Sequence, residues 1–237
     1  MKHLYYFLLG ELLLTALAAC HKEPAKVTTN PFDETVSAIV AQIQTPKLAD
    51  RQWEFQEEAD DNGWHLQKLQ AVIDSCAAQG GGTVSVKAGL YRLNGTLWLR
   101  SRVNLHLEAD AVLQFSGQGD DFLPVVPTRW EGLDCWNLSP LIYAYQAKDI
   151  AITGKGTIDG GGSNETWWPW CGNVRFGMKE GGIAQNQGAR ARLLKQAEDG
   201  VPMDERRYGP TDGLRPQMVN FNQCEGILIE DVTLLRS

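Results

Sequence analysis

Three groups of residues in this chain carry side chains with reactive potential: a glycine-rich loop holding a lysine, two pairs of adjacent aspartates, and four cysteines spread through its body. The loop, Thr153 to Gly162, reads TGKGTIDGGG, with five glycines beside Lys155. A phosphate cradle has such a composition, but it also needs a helix N-terminus directly after the loop, whose free backbone N–H groups hold the anion. The next residues are Ser-Asn-Glu-Thr-Trp-Trp-Pro-Trp, which open no helix, and the spacing GxGxxxG matches neither GxGxxG nor GxxxxGK[ST]. Nucleotide binding is therefore not expected. Paired carboxylates can raise one another's pKa and hold one proton for acid–base work. Asp60-Asp61, however, stands before a helical stretch and suits a cap, while Asp120-Asp121 follows Gly-Gln-Gly and precedes a loop proline. Both pairs are expected to be solvated cap or turn residues. Cys76, Cys135, Cys171 and Cys224 include no CxxC and no close Cys/His group, so no zinc site is expected, and three disulfide pairings stay open. No acidic cluster suggests calcium, and neither a metal nor a cofactor is expected.

The elements that would carry these residues change character along the chain. Val36, Ile39, Val40 and Ile43 recur at helical spacing, as do Leu66, Leu69, Val72, Ile73 and Cys76, so two amphipathic helices are expected. The second ends at Gly80-Gly-Gly82, where the period becomes twofold. Short alternating bursts come next: Val84 and Val86; Tyr91 and Leu93; Leu97 and Leu99; Val103, Leu105 and Leu107; Val112, Leu113 and Phe115. Each is too short for a helix, and no helix-length segment between them could serve as a βαβ crossover. The same phrase, two apolar residues flanking a third, a tight polar turn and a second such pair, begins at Asn104, Asp149 and Gly226. Val84, Leu105 and Ile150 are then one and two coils apart at a repeat of roughly 20 to 25 residues, whereas Ile227 lies too far on without an excursion. This is the pattern of an all-β, right-handed, single-stranded parallel β-helix, with inward ladders and glycine or Asp/Asn at its turns. Ile150, Ile152 and Ile158 should point inward, and Gly154-Lys-Gly156 should turn a corner, leaving Lys155 in solvent. His106 should be an outward ladder residue.

Charge and leader bound the setting. With Lys+Arg 22 against Asp+Glu 29, the net charge of −7 argues against nucleic acid as a partner and against an anionic membrane surface. The first twenty residues run from Lys2 through a short apolar stretch, interrupted by Glu11, to Leu-Ala-Ala-Cys20. That is the form of a bacterial lipoprotein signal, with Cys20 acylated after cleavage. The expected organisation is a signal peptide over 1–19, a tether and N-terminal segment over 20–50, and the N-terminal part of a β-helix over 51–237 with an insertion at about 160–214. The helix before the solenoid would form an N-terminal cap. Localisation would be the bacterial cell envelope, the membrane touched only through the lipid.

Taken in order, GGGTVSVKAGLY (80–91), LHLEADAVL (105–113), TRWEG (128–132), SPLIYA (139–144), TGKGTIDG and LRP (214–216) resemble the N-terminal half of glycoside hydrolase family 28, the polygalacturonases and rhamnogalacturonases of pectin breakdown. The resemblance covers about residues 50 to 237. It implies a parallel β-helix that hydrolyses galacturonan with inversion, one carboxyl protonating the leaving oxygen while another activates water. In the family these aspartates sit in an Asn-Thr-Asp motif and an Asp-Asp pair, beside Gly-His-Gly and Arg-Ile-Lys motifs, all downstream of the segment matched. Asn-Thr-Asp, Gly-His-Gly and Arg-Ile-Lys do not occur here, and neither Asp60-Asp61 nor Asp120-Asp121 stands at the family's catalytic place in the order of motifs, so no catalytic residue is assigned. The solenoid is expected to be incomplete at its C-terminal end, the chain an N-terminal piece of a longer enzyme, monomeric when full length.

Under this resemblance the partner is an acidic polysaccharide such as pectin. Arg129 and Arg215 would pair with a uronate carboxylate through a planar guanidinium, against the plainer reading of a salt bridge to Glu131. Trp130 and one of Trp167, Trp168 or Trp170 would stack on sugar rings; Trp168 is the candidate carried forward, with Glu131 and Arg175 beside it. Two other functions fit a solenoid of this kind: a non-catalytic polysaccharide-binding or adhesive surface protein, and a polysaccharide lyase.

Overall fold

The computed structural model describes residues 32–57 and 63–237. Residues 1–19, Cys20 and the Asp60-Asp61 pair lie outside the described residues. The chain divides into two units, ending and beginning at Ile43 and Gln44. The first contains helix α1 (Asp33–Val40), whose Val36, Ile39 and Val40 form an apolar stripe that is wholly exposed. Among the described residues no helix is long and apolar enough to cross a membrane.

The second unit is a wound ladder of parallel strands. After β1 (Gln52–Phe55), helix α2 (Leu66–Ala78) buries Leu69, Ile73 and Cys76, the residues its 3.6-residue period places on one face. The chain then winds through three sheets in turn. The first coil is β2 (Gly82–Val86), β3 (Gly89–Leu93) and β4 (Leu97–Trp98). The second is β5 (Val103–Leu107), β6 (Ala111–Phe115) and β9 (Ile142–Tyr145). The third is β10 (Lys148–Gly154), β11 (Thr157–Asp159) and β12 (Val219–Asn222), and a further winding begins with β13 (Glu225–Ile229) and β14 (Thr233–Leu235). The sheets are β1-β2-β5-β10-β13, β3-β6-β11-β14 and β4-β9-β12, with every pair parallel.

Register stacks like on like. Val84, Leu105, Ile152 and Ile229 form one ladder; Tyr91, Leu113, Ile158 and Leu234 form another. Val84, Leu105, Ile152, Tyr91, Leu113 and Ile158 are sealed from water, each such burial contributing about 1.5–3 kcal/mol, whereas Ile229 and Leu234 at the far end of the two ladders are exposed. Alternation carries the polar residues outward, where the Thr153 hydroxyl donates to Asn104 Oδ1 (3.0 Å) and so accepts from His106 Nδ1 (2.9 Å).

Three expectations need correction. Leu105 pairs with Ile152 rather than Ile150, and the interval between them is one coil, not two. Successive coils in this sheet advance by 21, 47 and 77 residues because the second and third carry excursions. In the second coil the excursion contains β7 (Val126–Trp130) and β8 (Leu133–Asn137), an antiparallel hairpin beyond the single insertion expected at about 160–214. Val112, grouped with the inward residues, faces out; Ala111, Leu113 and Phe115 are the buried ones.

The glycine-rich loop is a corner, as expected. Ile150, Ile152 and Ile158 are sealed inside and Lys155 is exposed. Gly154 has φ +103°, and a Cβ there would lie 2.1 Å from the Leu107 carbonyl oxygen; one at Gly156 would lie 2.6 Å from that of Ala111. Between Ile152 and Ile158 the chain takes two residues fewer than between their partners Leu105 and Leu113. The tighter bend brings the backbone of one coil against the next, leaving no room for side chains.

Candidate functional site

Both excursions leave the solenoid at the same corner, between the second and third sheets. The hairpin departs after β6 and returns at β9; the longer segment departs after β11 and returns at β12. In the first coil only Asn94-Gly-Thr96 fills that corner. One side of the solenoid is thereby walled by two loop segments, the arrangement in which loops on a rigid scaffold build a site.

The wall has its own small core. Trp130, Cys135, Ala189, Leu193, Tyr208 and Leu214 pack together, joining the hairpin to α3 (Ala189–Glu198) and to the chain that returns toward β12. The buried Asn137 amide donates to the Leu214 carbonyl at 3.0 Å. Arg207 lies over Trp136 at 4.4 Å and Arg192 over Tyr208 at 4.6 Å; such contacts are worth about 0.5–1 kcal/mol each where exposed. At the hairpin tip Glu131, held at φ +44°, meets Arg190 at the start of α3 in a 2.7 Å ion pair. Burial, with the neighbouring Asp134 carboxylate second, pushes the Cys135 thiol up to about 12. It is inert filling, not a nucleophile. All four cysteines of the described residues are unpaired thiols.

Between this wall and the solenoid lies a pocket of about 410 Å³, a volume suited to a small ligand or one sugar ring. Trp130 comes from the hairpin; Trp167, only 3% exposed, comes from the insertion and anchors its indole N–H on the Gly160 carbonyl at 2.9 Å. Arg215, Gln217 and Met218 line the side nearest β12, and Gln185 faces them from the insertion. Gln217 is pinned to the hairpin: its Oε1 accepts from the buried Thr128 hydroxyl at 3.2 Å and its Nε2 donates to the Arg129 carbonyl at 2.5 Å. Glu131 is the carboxylate side chain on this wall, and Arg190 compensates its charge. Arg215, which lines the pocket, makes no salt bridge among the described residues. The chemistry available here is recognition of an anion beside apolar ring faces; the wall carries no pair of carboxylates for acid–base work. Among the described residues no group of three or more His, Cys, Asp or Glu gathers as a metal site.

A scan of family models and a search of curated proteins give no match. Solved structures do. A hyperthermoactive exopolygalacturonase from Thermotoga maritima is 34% identical, with a TM-score of 0.80 over 86% of this chain and 46% of its own. This chain belongs to glycoside hydrolase family 28. Two further structures share the fold: a family 28 exopolygalacturonase from Yersinia enterocolitica, 23% identical, with a TM-score of 0.52 over 78% of this chain and 34% of its own; and a polygalacturonase from Erwinia carotovora, 19% identical, with a TM-score of 0.50 over 82% and 44%. This family 28 chain thus spans less than half the length of each.

Of the candidate residues in this family 28 chain, Trp130, Glu131 and Arg215 come together on the pocket. Arg129 does not. It is exposed on the far side of the hairpin, donating to the Gly132 carbonyl and pairing with Asp134 at 3.3 Å, because alternation along β7 turns it opposite to Trp130. Trp168 donates its indole N–H to the Ser237 carbonyl and meets the edge of Phe176, and Arg175 lies over Phe176 at 5.7 Å. Neither is on the pocket wall. Glu131 pairs with Arg190, not with Arg129 or Arg215. Asp120 and Asp121 belong to a short 3-10 turn, where Asp121 accepts from the Ser116 hydroxyl at 2.6 Å. Sequence reasoning passed over Gln185 and Gln217: both lie in aperiodic chain, and an isolated glutamine carries no motif.

Proposed function

We propose that this chain supplies the substrate-binding, N-terminal part of a pectin-directed glycoside hydrolase, and that the pocket holds a galacturonic acid unit of the polysaccharide. The observation that carries the reading is Arg215, a guanidinium without an acidic partner facing a cavity walled by Trp130 and Trp167. In a protein of net charge −7 an acidic sugar must be met by a local cation, and a planar guanidinium matches a carboxylate through two parallel N–H bonds. Trp130 and Trp167, 7% and 3% exposed, give that cavity an apolar wall. Inverting hydrolysis requires a protonated carboxyl and a second carboxylate on opposite sides of the bond. Glu131, the carboxylate on this wall, is committed to Arg190, and the chain spans 46% of the Thermotoga enzyme. In this reading the catalytic aspartates of the whole enzyme are supplied from outside these 237 residues, and this chain by itself binds without cutting. Acylation of Cys20 and tethering in the cell envelope belong to the same proposal.

The test is titration of the chain with oligogalacturonate and with neutral galactan, followed through tryptophan fluorescence. Binding of the acidic oligomer alone is expected, and Arg215→Ala should weaken it by about tenfold or more, the loss of a charge-assisted pair worth roughly 1.5–3 kcal/mol. Equal binding of both polymers, or an unaffected variant, would sink the proposal.

A further inference from the structure

Gln185 occupies an unusual position on the pocket wall. Its Oε1 is buried and accepts no hydrogen bond from any described residue. A buried carbonyl oxygen left without a donor costs about 1–3 kcal/mol, and of the five buried polar atoms without a partner among the described residues, Gln185 Oε1 is the one whose residue lines the pocket. The backbone that carries it is firmly held. Its backbone N–H donates to the Trp170 carbonyl at 2.9 Å, and its own carbonyl accepts from the Arg190 N–H at 3.1 Å. Gly213, at φ +72°, lies so close that a Cβ there would meet Ala184 at 2.7 Å and the Gln185 nitrogen at 2.9 Å. Three separate stretches of the wall therefore fix the residue whose amide oxygen is left unpaired. Of the residues that line this pocket, Arg215 has a guanidinium that can only donate, and Gln185 has an Oε1 that can only accept.

Resting on the reading of the pocket as a uronate site, we propose that Gln185 is a specificity-determining residue: its Oε1 accepts a hydrogen bond from a ring hydroxyl of the sugar whose carboxylate Arg215 holds. A complementary ligand must then offer a hydroxyl donor as well as an anion. A site built to pair a hydroxyl discriminates strongly against an analogue lacking it, because the acceptor is left buried and unsatisfied.

The test uses the full chain with methyl galacturonate glycoside and its series of monodeoxy derivatives, binding being read from fluorescence. The unaltered protein is expected to bind one member of the series about tenfold more weakly than the parent. Gln185→Met, close in volume, should bind the parent about tenfold more weakly and lose that preference, so that parent and sensitive derivative bind alike. If no monodeoxy derivative binds more weakly to the unaltered protein, the inference is overturned without any variant having to fold. If Gln185→Met keeps both affinity and preference while Arg215→Ala abolishes binding, the uronate reading stands and the role of Gln185 falls. If Arg215→Ala also binds normally, both fall together.

Discussion

Asp159 shows how a single acidic residue in this fold can be structural. Burial raises its carboxyl pKa, but the bidentate Arg236 guanidinium, the Gly161 N–H and the Gln114 amide together outweigh burial and leave it below the ordinary carboxylate value. A folded-state pKa below the unfolded one contributes stability that is present above the unfolded value, near about 3.9, and is lost as pH falls through the folded one. Thermal melts between pH 6 and pH 2 should therefore show an acid-induced loss that Asp159→Asn makes shallower, with the variant less stable at pH 6 by about 1–2 kcal/mol. The upper range of about 3–5 kcal/mol for breaking a buried pair does not apply, because Arg236 keeps much of its surface in water. An unchanged acid limb in the variant would place the pH dependence elsewhere. Arg215 is the contrasting case: among the described residues its guanidinium makes no salt bridge.

The corner at Gly154-Lys-Gly156 and the hairpin wall put different demands on sequence. At the corner, backbone of one coil touches backbone of the next, so Gly154→Ala sets a methyl group against the Leu107 carbonyl in a left-handed conformation. This should cost about 2–4 kcal/mol, more than the strained φ alone, while Lys155→Ala, exposed between the two glycines, should change stability by less than about 0.5 kcal/mol. Chemical denaturation of the two variants checks the pair of outcomes; a tolerated Gly154→Ala would show that the corner can open. The wall depends instead on side chains from distant stretches. Glu131 and Arg190 are 59 positions apart, and Asn137 and Leu214 are 77 apart. Such contacts leave no local periodic trace. The solenoid strands were legible because alternation recurs every two residues; the hairpin alternates in the same way, and only its antiparallel register distinguishes it.

For the whole molecule, winding direction and excursion geometry matter more than any one contact. Because both long segments leave from the corner between the second and third sheets, they meet and wall the same side of the ladder. The proposal of a tethered envelope protein is likewise a statement about the entire chain, carried by the leader with Cys20. Expression in a bacterial host with labelled palmitate should give label in the protein, and Cys20→Ser should remove the label and release the protein from the membrane fraction; label retained in that variant would overturn the proposal.

Sequence alone determined the class of this protein. Twofold alternation, glycine corners and the ordered run of short phrases specify stacked parallel strands and the resemblance to family 28, because each is a local pattern repeated along the chain. It also determined that the glycine-rich loop turns the backbone and leaves Lys155 in solvent. Tertiary structure decided which residues share the pocket. Trp130 and Arg215 were recognisable by type, but Arg129 is turned away by one step of alternation, and Trp167 rather than Trp168 reaches the pocket wall. Gln185 became visible only when packing buried its amide oxygen without a partner. Burial and unsatisfied polarity depend on segments brought together from distant positions, such as the 89 between Thr128 and Gln217 or the 59 between Glu131 and Arg190, and no window along the chain contains both sides of such a contact.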